Sequence, residues 1–364
     1  MNRPPDLIAG SAPLAAAAAR LAAAPRLAVD TEFVRERTYV AELALVQLTA
    51  GEEIELVDPL AGADLAPLVA LLAGPARAKV LHAARQDLEV LLPLLGAPLA
   101  PVIDTQLAAA LLGHPAQIGY ADLVERELGV KLEKGHARTD WTRRPLSAAQ
   151  LEYAADDVRY LLPLAARLEE RLAAQGRLEW LREDCAALSN PALFAIDPAL
   201  AWQRLKGVET LEPREQLRIR SLAAWRERGA QARNLPRNWL LSEEALRAIA
   251  RAAPADLEAL RALDVLAPGT VAKLGPALLA ALGEAAADSP EGIERRSDGR
   301  PGAEERARIG QLGERLRKIA AELSVAPEVL ATQRDLKRIA RGELPGNVLS
   351  GWRAALLGAT LGAG

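Results

Sequence analysis

Four acidic side chains and one tyrosine carry the chemistry that this sequence could perform. Asp30-Thr31-Glu32 follows directly on the apolar run Leu27-Ala28-Val29. Side chains alternate along an extended chain, so Asp30 and Glu32 share one face at a strand's end. Two converging carboxylates offer hard oxygen ligands suited to Mg²⁺ or Mn²⁺. Taken alone, an Asp-x-Glu pair is a weak signal and fits better as solvated acids on an edge strand. Asp87 lies in the run Lys79-Val80-Leu81-His82-Ala83-Ala84-Arg85-Gln86-Asp87, where a short strand delivers a histidine and a helix carries an acid in its first turn. Such an acid can also do no more than complement the helix dipole. Tyr153 and Asp157 stand four residues apart on a helix opened by Ser147 and Gln150, a capping-box pair, so they share a face. Asp157 can ligate a metal while the Tyr153 hydroxyl touches an attacking water. Asp156 points elsewhere, and the plain alternative is a surface tyrosine beside a charged helix.

Weaker candidates surround these five. Gln47, on the second strand, could support a metal site as a hydrogen bonder behind the ligands. His82 could contact substrate phosphate or sugar, or simply cap its strand. Lys134, Arg138, Arg143 and Arg144 belong to a polar loop, 131–145, expected to face the late helix. They could hold the phosphates of a polyanionic substrate, RNA if the resemblance drawn below holds, or be ordinary solvated charges. Asp104 starts a helix and reads as structural.

The elements that must position these residues alternate in type. Strand character is expected at 27–29, 43–49, 54–57, 79–81 and 102–103. Helices are expected at 12–24 with Ser11 as N-cap, at 65–72, 84–95, 105–112 and 120–128, and as one long helix from Ser147 to about Ala174. The pattern is an α/β domain with a mixed sheet, residues 1–190. Asn190-Pro191 and Asp197-Pro198 mark a linker, after which only helices are expected. A polar stretch, ADSPEGIERRSDGRPG at 287–302, reads as a second linker. It separates two helical-bundle domains, 198–285 and 302–364. These resemble each other: ALRAIAR at 245–251 parallels DLKRIAR at 335–341, and Pro236 and Pro254 have the same separation as Pro327 and Pro345. That points to an internal duplication.

Composition narrows the setting. One cysteine, Cys185, excludes an internal disulfide framework and suits a reducing, cytoplasmic compartment. Three histidines and one cysteine are a poor supply for a structural zinc site. There is no run of about 18 uncharged apolar residues, so no membrane span is expected. Residues 1–199 carry 19 basic and 27 acidic groups, whereas residues 200–275 carry 13 and 9, and residues 301–364 carry 10 and 7. An acidic front half followed by two mildly basic units suits a metal-binding catalytic domain with polyanion-binding attachments. The Gly-rich and nucleophile-elbow signatures of dehydrogenases and serine hydrolases are missing.

The order of the pieces says more than any one of them. Asp-x-Glu after a strand, then His-x₄-Asp, then Tyr-x₃-Asp on a late helix resembles the DEDD exonuclease superfamily in its tyrosine subclass. The segments VDTEFVRERTY, VLHAARQDLEVL, IDTQLAAALLG, GYADLVERELGVKLEKG and TDWTRRPLSAAQLEYAADDVRYL resemble bacterial ribonuclease D from about Ala28 to Leu162. The first basic unit resembles the helical HRDC domain, and the second is a more divergent copy that lacks the tryptophan-rich core (Trp202, Trp225, Trp239) of the first. The resemblance implies a ribonuclease H-like catalytic domain and a monomeric 3′→5′ exoribonuclease that trims tRNA precursors and other small structured RNAs. It also implies two divalent ions held by Asp30, Glu32, Asp87 and Asp157, with Tyr153 orienting the water and nucleoside 5′-monophosphates as products. A DNA-directed repair exonuclease would use the same carboxylates, because contacts to the 2′-OH decide between the two. A non-catalytic RNA-binding scaffold is the reading that loss of a metal carboxylate would have favoured.

Overall fold

A computed structural model describes residues 5–133, 135, 139–291, 293, 302–343, 345, 346, 348 and 350–361. The chain forms two compact units: Met1–Val34 with Glu42–Phe194 and Gly302–Gly364, and Arg35–Ala41 with Ala195–Pro301.

The first unit is built on a six-stranded mixed sheet of β1 (Leu7–Ile8), β2 (Arg26–Val34), β3 (Glu42–Thr49), β4 (Ile54–Val57), β5 (Ala78–Leu81) and β6 (Val102–Asp104), in the order β1-β4-β3-β2-β5-β6. The β2–β3 and β3–β4 pairs are antiparallel, and the β1–β4, β2–β5 and β5–β6 pairs are parallel. Both faces are covered, which is why the central strands read as nearly continuous apolar runs. One face presents Leu27, Val29, Val46 and Leu48 to α1 (Ser11–Leu21), α2 (Ala66–Ala73) and α3 (Arg85–Leu95). On the other face, Ala28, Val80, Leu45 and Leu56 pack with Val158, Leu161, Trp141 and Ala154. Next along the chain come α4 (Thr105–Leu111), α5 (Tyr120–Leu128), α6 (Ala148–Arg159), α7 (Leu161–Ala174) and α8 (Leu178–Leu188).

Two local expectations need correction. Ser11 does not cap α1: the N-cap position is Gly10, and the Ser11 hydroxyl instead accepts the Asp64 N–H at 2.9 Å. The late helix is two helices. Its capping box forms as the sequence indicates, but the chain leaves helical geometry at Tyr160 (φ −106°, ψ 1°). There the Tyr160 N–H turns out of the ladder to the Tyr120 hydroxyl at 3.2 Å. Pro163, in the first turn of α7, has no N–H to continue the earlier helix and its ring crowds the carbonyl four residues back.

Residues 302–364 supply α14 (Ala303–Glu322), α15 (Pro327–Leu330), α16 (Gln333–Ala340) and α17 (Gly351–Leu361) to this same unit. Leu312, Leu316, Val329, Leu336 and Trp352 share a core with Leu111, Val124, Leu172 and Leu181. Polar groups fix the docking. The Arg177 guanidinium donates to the carbonyls of Leu111 and Leu323, both at 2.7 Å. Trp352 stacks on Trp180 at 4.4 Å and donates its indole N–H to Asp184 at 3.0 Å. The Glu183 carboxylate accepts the Trp352 backbone N–H at the start of α17.

The second unit contains α9 (Pro213–Arg233), α10 (Arg237–Leu240), α11 (Glu243–Ala252), α12 (Leu257–Ala262) and α13 (Pro268–Ala287) around a core that includes Ile219, Leu222, Leu246, Ile249, Val271 and Leu278. No strand follows β6 among the described residues. A short 3₁₀ turn capped by Asn190 precedes the boundary at Phe194, whereas the seven-residue 3₁₀ helix capped by Asp197, Pro198–Arg204, buries Ala201 in the core of this unit. Most of the second expected linker lies outside the described residues. Trp202 and Trp225 pack against the core as expected, but Trp239 is 62% exposed and is no part of it.

The local course of α9–α11 is repeated in α14–α16. Each begins with a long helix followed within two residues by a left-handed one, Asn234 (φ 47°) at the C-cap or Ser324 (φ 55°) just past it. A four-residue helix follows in each case. Each then continues into a helix capped by a hydroxyl, that of Ser242 or Thr332.

Candidate active site

The strand β2 runs past its parallel neighbour: its pairing with β5 ends at Ala28↔Val80, while its pairing with β3 continues through Glu32↔Leu45. Asp30 and Glu32 therefore stand where the sheet opens on one side. Alternation puts both on the face covered by α6, which packs across β2, β3 and β4. The four-residue spacing on α6 brings Asp157 down onto the same spot. Oxygen atoms of Asp30, Glu32 and Asp157 all lie within 4.8 Å of one another. A register shift between Glu32 and Phe33 ends the regular ladder beside them.

Asp87 enters from the opened side, in the first turn of α3. Thr31, between the two acids, points to the opposite face of the strand and donates its hydroxyl to Asp87 Oδ1 at 2.6 Å. The carboxyl of Asp87 is buried and close enough to raise the pKa of both Asp30 and Glu32. All four carboxyls are held above the ordinary carboxylate range. Burial is the leading cause in each, with the charges of neighbouring acids next for Asp30, Glu32 and Asp157. Glu32 is pushed up to about 9 and Asp157 to about 7. Asp87 reaches about 7 although the Thr31 hydroxyl pulls it down. Three carboxyls gathered at one point, with a fourth fastened beside them, repel each other unless positive charge joins them, and their hard oxygen donors suit a divalent ion.

Tyr153 stands one turn before Asp157, with its ring 6.1 Å from that of the buried Trp141. Burial and the charges of Asp157, Glu32 and Asp30 push its hydroxyl above the ordinary tyrosine range. Asp156 turns away to Arg159 on its own helix, as the spacing indicates. A cleft of about 290 Å³ opens beside Tyr153 and Asp157, with Tyr120, Gly119 and Leu132 among its walls.

Gln47 is the Cα partner of Asp30 across the β2–β3 ladder and is fully buried. Its two amide atoms find no hydrogen-bond partner among the described residues. His82 is otherwise engaged. Nδ1 meets the Thr105 hydroxyl and Nε2 the Ile118 carbonyl, both at 2.9 Å, so no ring nitrogen remains for substrate. Of the two roles considered for it, the structure supports fastening the strand end. Asp104 is structural, accepting the N–H groups of Ala83 and Ala84 and capping α4.

The expectation that Arg144 holds RNA phosphate is corrected. Its guanidinium grips Asp58 at 2.6 and 2.7 Å and donates to the carbonyls of Trp141 and Ala44, leaving it committed to the fold. Arg143 is exposed. Lys134 and Arg138 lie outside the described residues. Sequence reasoning missed Thr31 and Tyr120. Thr31 was legible from alternation, which sends it to the face opposite its acidic neighbours. The Tyr120 hydroxyl joins the Asp156 carbonyl to the Tyr160 N–H, and nothing in the sequence pairs those positions.

The chain is similar to known proteins over nearly its whole length. A family described as 3′-5′ exonuclease matches residues 6–173, and the HRDC domain family matches residues 215–282. Ribonuclease D of Gluconacetobacter diazotrophicus is 42% identical, covering 97% of this chain and 91% of the relative. Ribonuclease D of Acidiphilium cryptum is 40% identical, again covering 97% and 91%. The chain belongs to the ribonuclease D family. The crystal structure of Escherichia coli RNase D superposes with a TM-score of 0.88 at 34% identity, covering 100% of this chain and 98% of that one. The ribonuclease H-like fold and the 3′→5′ exoribonuclease activity are therefore those of this family: the chain is a hydrolase that acts on RNA. Divalent metal is the family's requirement, and the acidic cluster answers it.

Proposed function

We propose that this chain trims the 3′ ends of tRNA precursors and other small structured RNAs, using two Mg²⁺ or Mn²⁺ ions held by Asp30, Glu32, Asp87 and Asp157. The observation that carries this reading is the convergence of three carboxylates within 4.8 Å, with a fourth fastened to the strand between them. Structured RNA as substrate draws support from the E. coli relative, described as an exoribonuclease involved in structured RNA processing. Divalent ions bound by these carboxylates would supply an activated water and positive charge for the leaving 3′ oxygen of an in-line displacement. The chain's own residues do the rest. Four carboxylates supply the charge that holds the ions. Thr31 fixes Asp87 in one rotamer. Tyr153, with its hydroxyl kept protonated at neutral pH, is no general base and orients the water by a hydrogen bond. The cleft between Tyr120 and Tyr153 receives the terminal nucleoside, and the product leaves as a 5′-monophosphate. Arg143, with Lys134 and Arg138 of the same loop, contacts RNA phosphates.

We assign residues 302–364 as a second, divergent HRDC copy on the repeated course of their helices. The protein works as a monomer in the cytoplasm; no described helix is long and apolar enough to cross a membrane. The test is a tRNA carrying a 3′ extension, incubated with Mg²⁺ or Mn²⁺ beside its DNA counterpart. Release of nucleoside 5′-monophosphates from the RNA, abolished by chelation and by Asp30→Asn, is expected. Preferential DNA hydrolysis would replace the reading by a repair exonuclease, and no release from either would leave an RNA-binding scaffold.

A further inference from the structure

The fully buried amide of Gln47 has no role in holding the fold that the structure shows. Its neighbours explain why it is costly there. Leu45 and Leu56 on the same face of the sheet are fully buried, and Gln47 is registered against Leu56 on β4 and against Asp30 on β2. A side chain flanked by leucines in a packed layer would ordinarily be apolar, because a buried amide without partners loses its hydration and gains nothing. Both amide atoms of Gln47 are in that position among the described residues. The ladder also settles what lies beside it. Cα partners across an antiparallel pair carry their side chains on the same face, about 4.5–5.5 Å apart at Cβ. Gln47 is thus the lateral neighbour of Asp30, on the side away from Asp87.

We propose that Gln47 is a positioning residue for the metal centre. In the loaded enzyme its amide N–H donates to the Asp30 carboxylate or to a water in the ion's shell, and its carbonyl oxygen accepts from that water, so that Asp30 is held at one angle. The inference rests on the metal-binding reading of Asp30, Glu32, Asp87 and Asp157. It differs from a structural role in one respect. An amide that serves the fold stabilises the metal-free protein, whereas an amide that serves the ions leaves it no more stable and strengthens only the metal complex.

The experiment measures two quantities on Gln47→Met and Gln47→Leu, which keep the volume and remove the polar atoms. One is the Tm in EDTA, and the other is the Mn²⁺ dissociation constant by calorimetry. The expected result is a metal-free Tm equal to or above that of the parent, with Mn²⁺ binding about 10–100-fold weaker, the range found when groups behind metal ligands are removed. Parent-like Mn²⁺ affinity in both variants would overturn the proposal. So would failure of either variant to fold without metal, which would make the amide a structural group. Asp30→Asn serves as the reference. If neither the parent nor this variant shows specific Mn²⁺ binding, the metal-site reading itself fails. If the parent binds and Asp30→Asn does not, a null result at Gln47 concerns Gln47 alone.

Discussion

At the scale of single residues, the centre is a cluster of acids that cannot all ionise in the metal-free protein. Asp87 and Asp157 are raised to about 7 and Glu32 to about 9, against about 4 in an unfolded chain. A carboxyl whose pKa is raised on folding favours the folded state while protonated. That contribution is complete below about pH 4 and is lost as pH rises through the folded-state values. The Tm of the metal-free protein should therefore fall through the window from about pH 4 to 9, while Mn²⁺ should raise Tm by an increment that grows with pH. Thermal unfolding in EDTA and in excess Mn²⁺ across this window reads both, and an increment independent of pH would contradict it. Tyr153→Phe should lower the turnover rate on the order of 10²-fold through misplaced water and leave the Mn²⁺ dissociation constant unchanged; weakened metal binding would show that the hydroxyl helps hold an ion. The five central residues were legible because alternation in a strand and four-residue spacing in a helix are local rules. Arg144 was misread because its partner Asp58 lies on a distant stretch of chain. Arg144→Ala should cost about 2–4 kcal/mol in denaturant unfolding, since it strips a buried carboxylate of its partner, with KM for RNA unchanged. A raised KM with unchanged stability would restore the phosphate role.

Among the elements, the break between α6 and α7 does the positioning. A continuous helix through Tyr160 would have carried Tyr153 and Asp157 on a rod aimed by α7. The bend frees α6 to lie across β2–β4, and the Tyr120 hydroxyl holds it by bonds to the Asp156 carbonyl and the Tyr160 N–H. Tyr120→Phe removes both bonds and leaves the Tyr160 N–H only the Val158 carbonyl of its own helix. It should destabilise the protein by about 1–3 kcal/mol and lower kcat more than it raises KM, because the bonds lie beside Asp157 rather than against the outer RNA. Denaturant unfolding with steady-state kinetics tests this; an effect on KM alone would mean that the hydroxyl serves the nucleoside in the cleft and not the placement of α6. The helices and strands themselves were largely readable, since their apolar periods and capping residues are local. Pro163 is a local sign of the break that sequence reasoning missed, whereas the hydroxyl that holds it comes from another helix and was not readable. The two-residue β1 was also missed, being too short to show a period.

For the whole molecule, composition suggested a catalytic half with two basic attachments, and the division of the chain into units differs from that division. Residues 302–364 are grouped with the sheet, because α4, α5, α7 and α8 present apolar surface that the sheet does not cover. Periodicity shows that a helix has an apolar face but does not name the surface it meets, so this grouping was out of reach of the sequence. Close approach confirms how tightly the seat is made: Gly113, at φ +92°, has room for no Cβ, which would fall 2.4 Å from the Ser324 carbonyl oxygen. Ending the chain after Asp288 should then do more than remove an RNA-binding attachment. It would return Leu111, Val124, Leu172 and Leu181, all buried in the shared core, toward water. At about 1.5–3 kcal/mol for each large apolar side chain fully exposed, even partial exposure of these four is a large fraction of the net stability of a typical domain, about 5–15 kcal/mol. The shortened chain is expected to aggregate or to lose its cooperative thermal transition, and Gly113→Ala to show a milder form of the same defect, a lowered Tm in the full-length chain. A shortened chain that melts cooperatively at the parent's Tm and loses only RNA affinity would mean that this helical unit is an attachment after all.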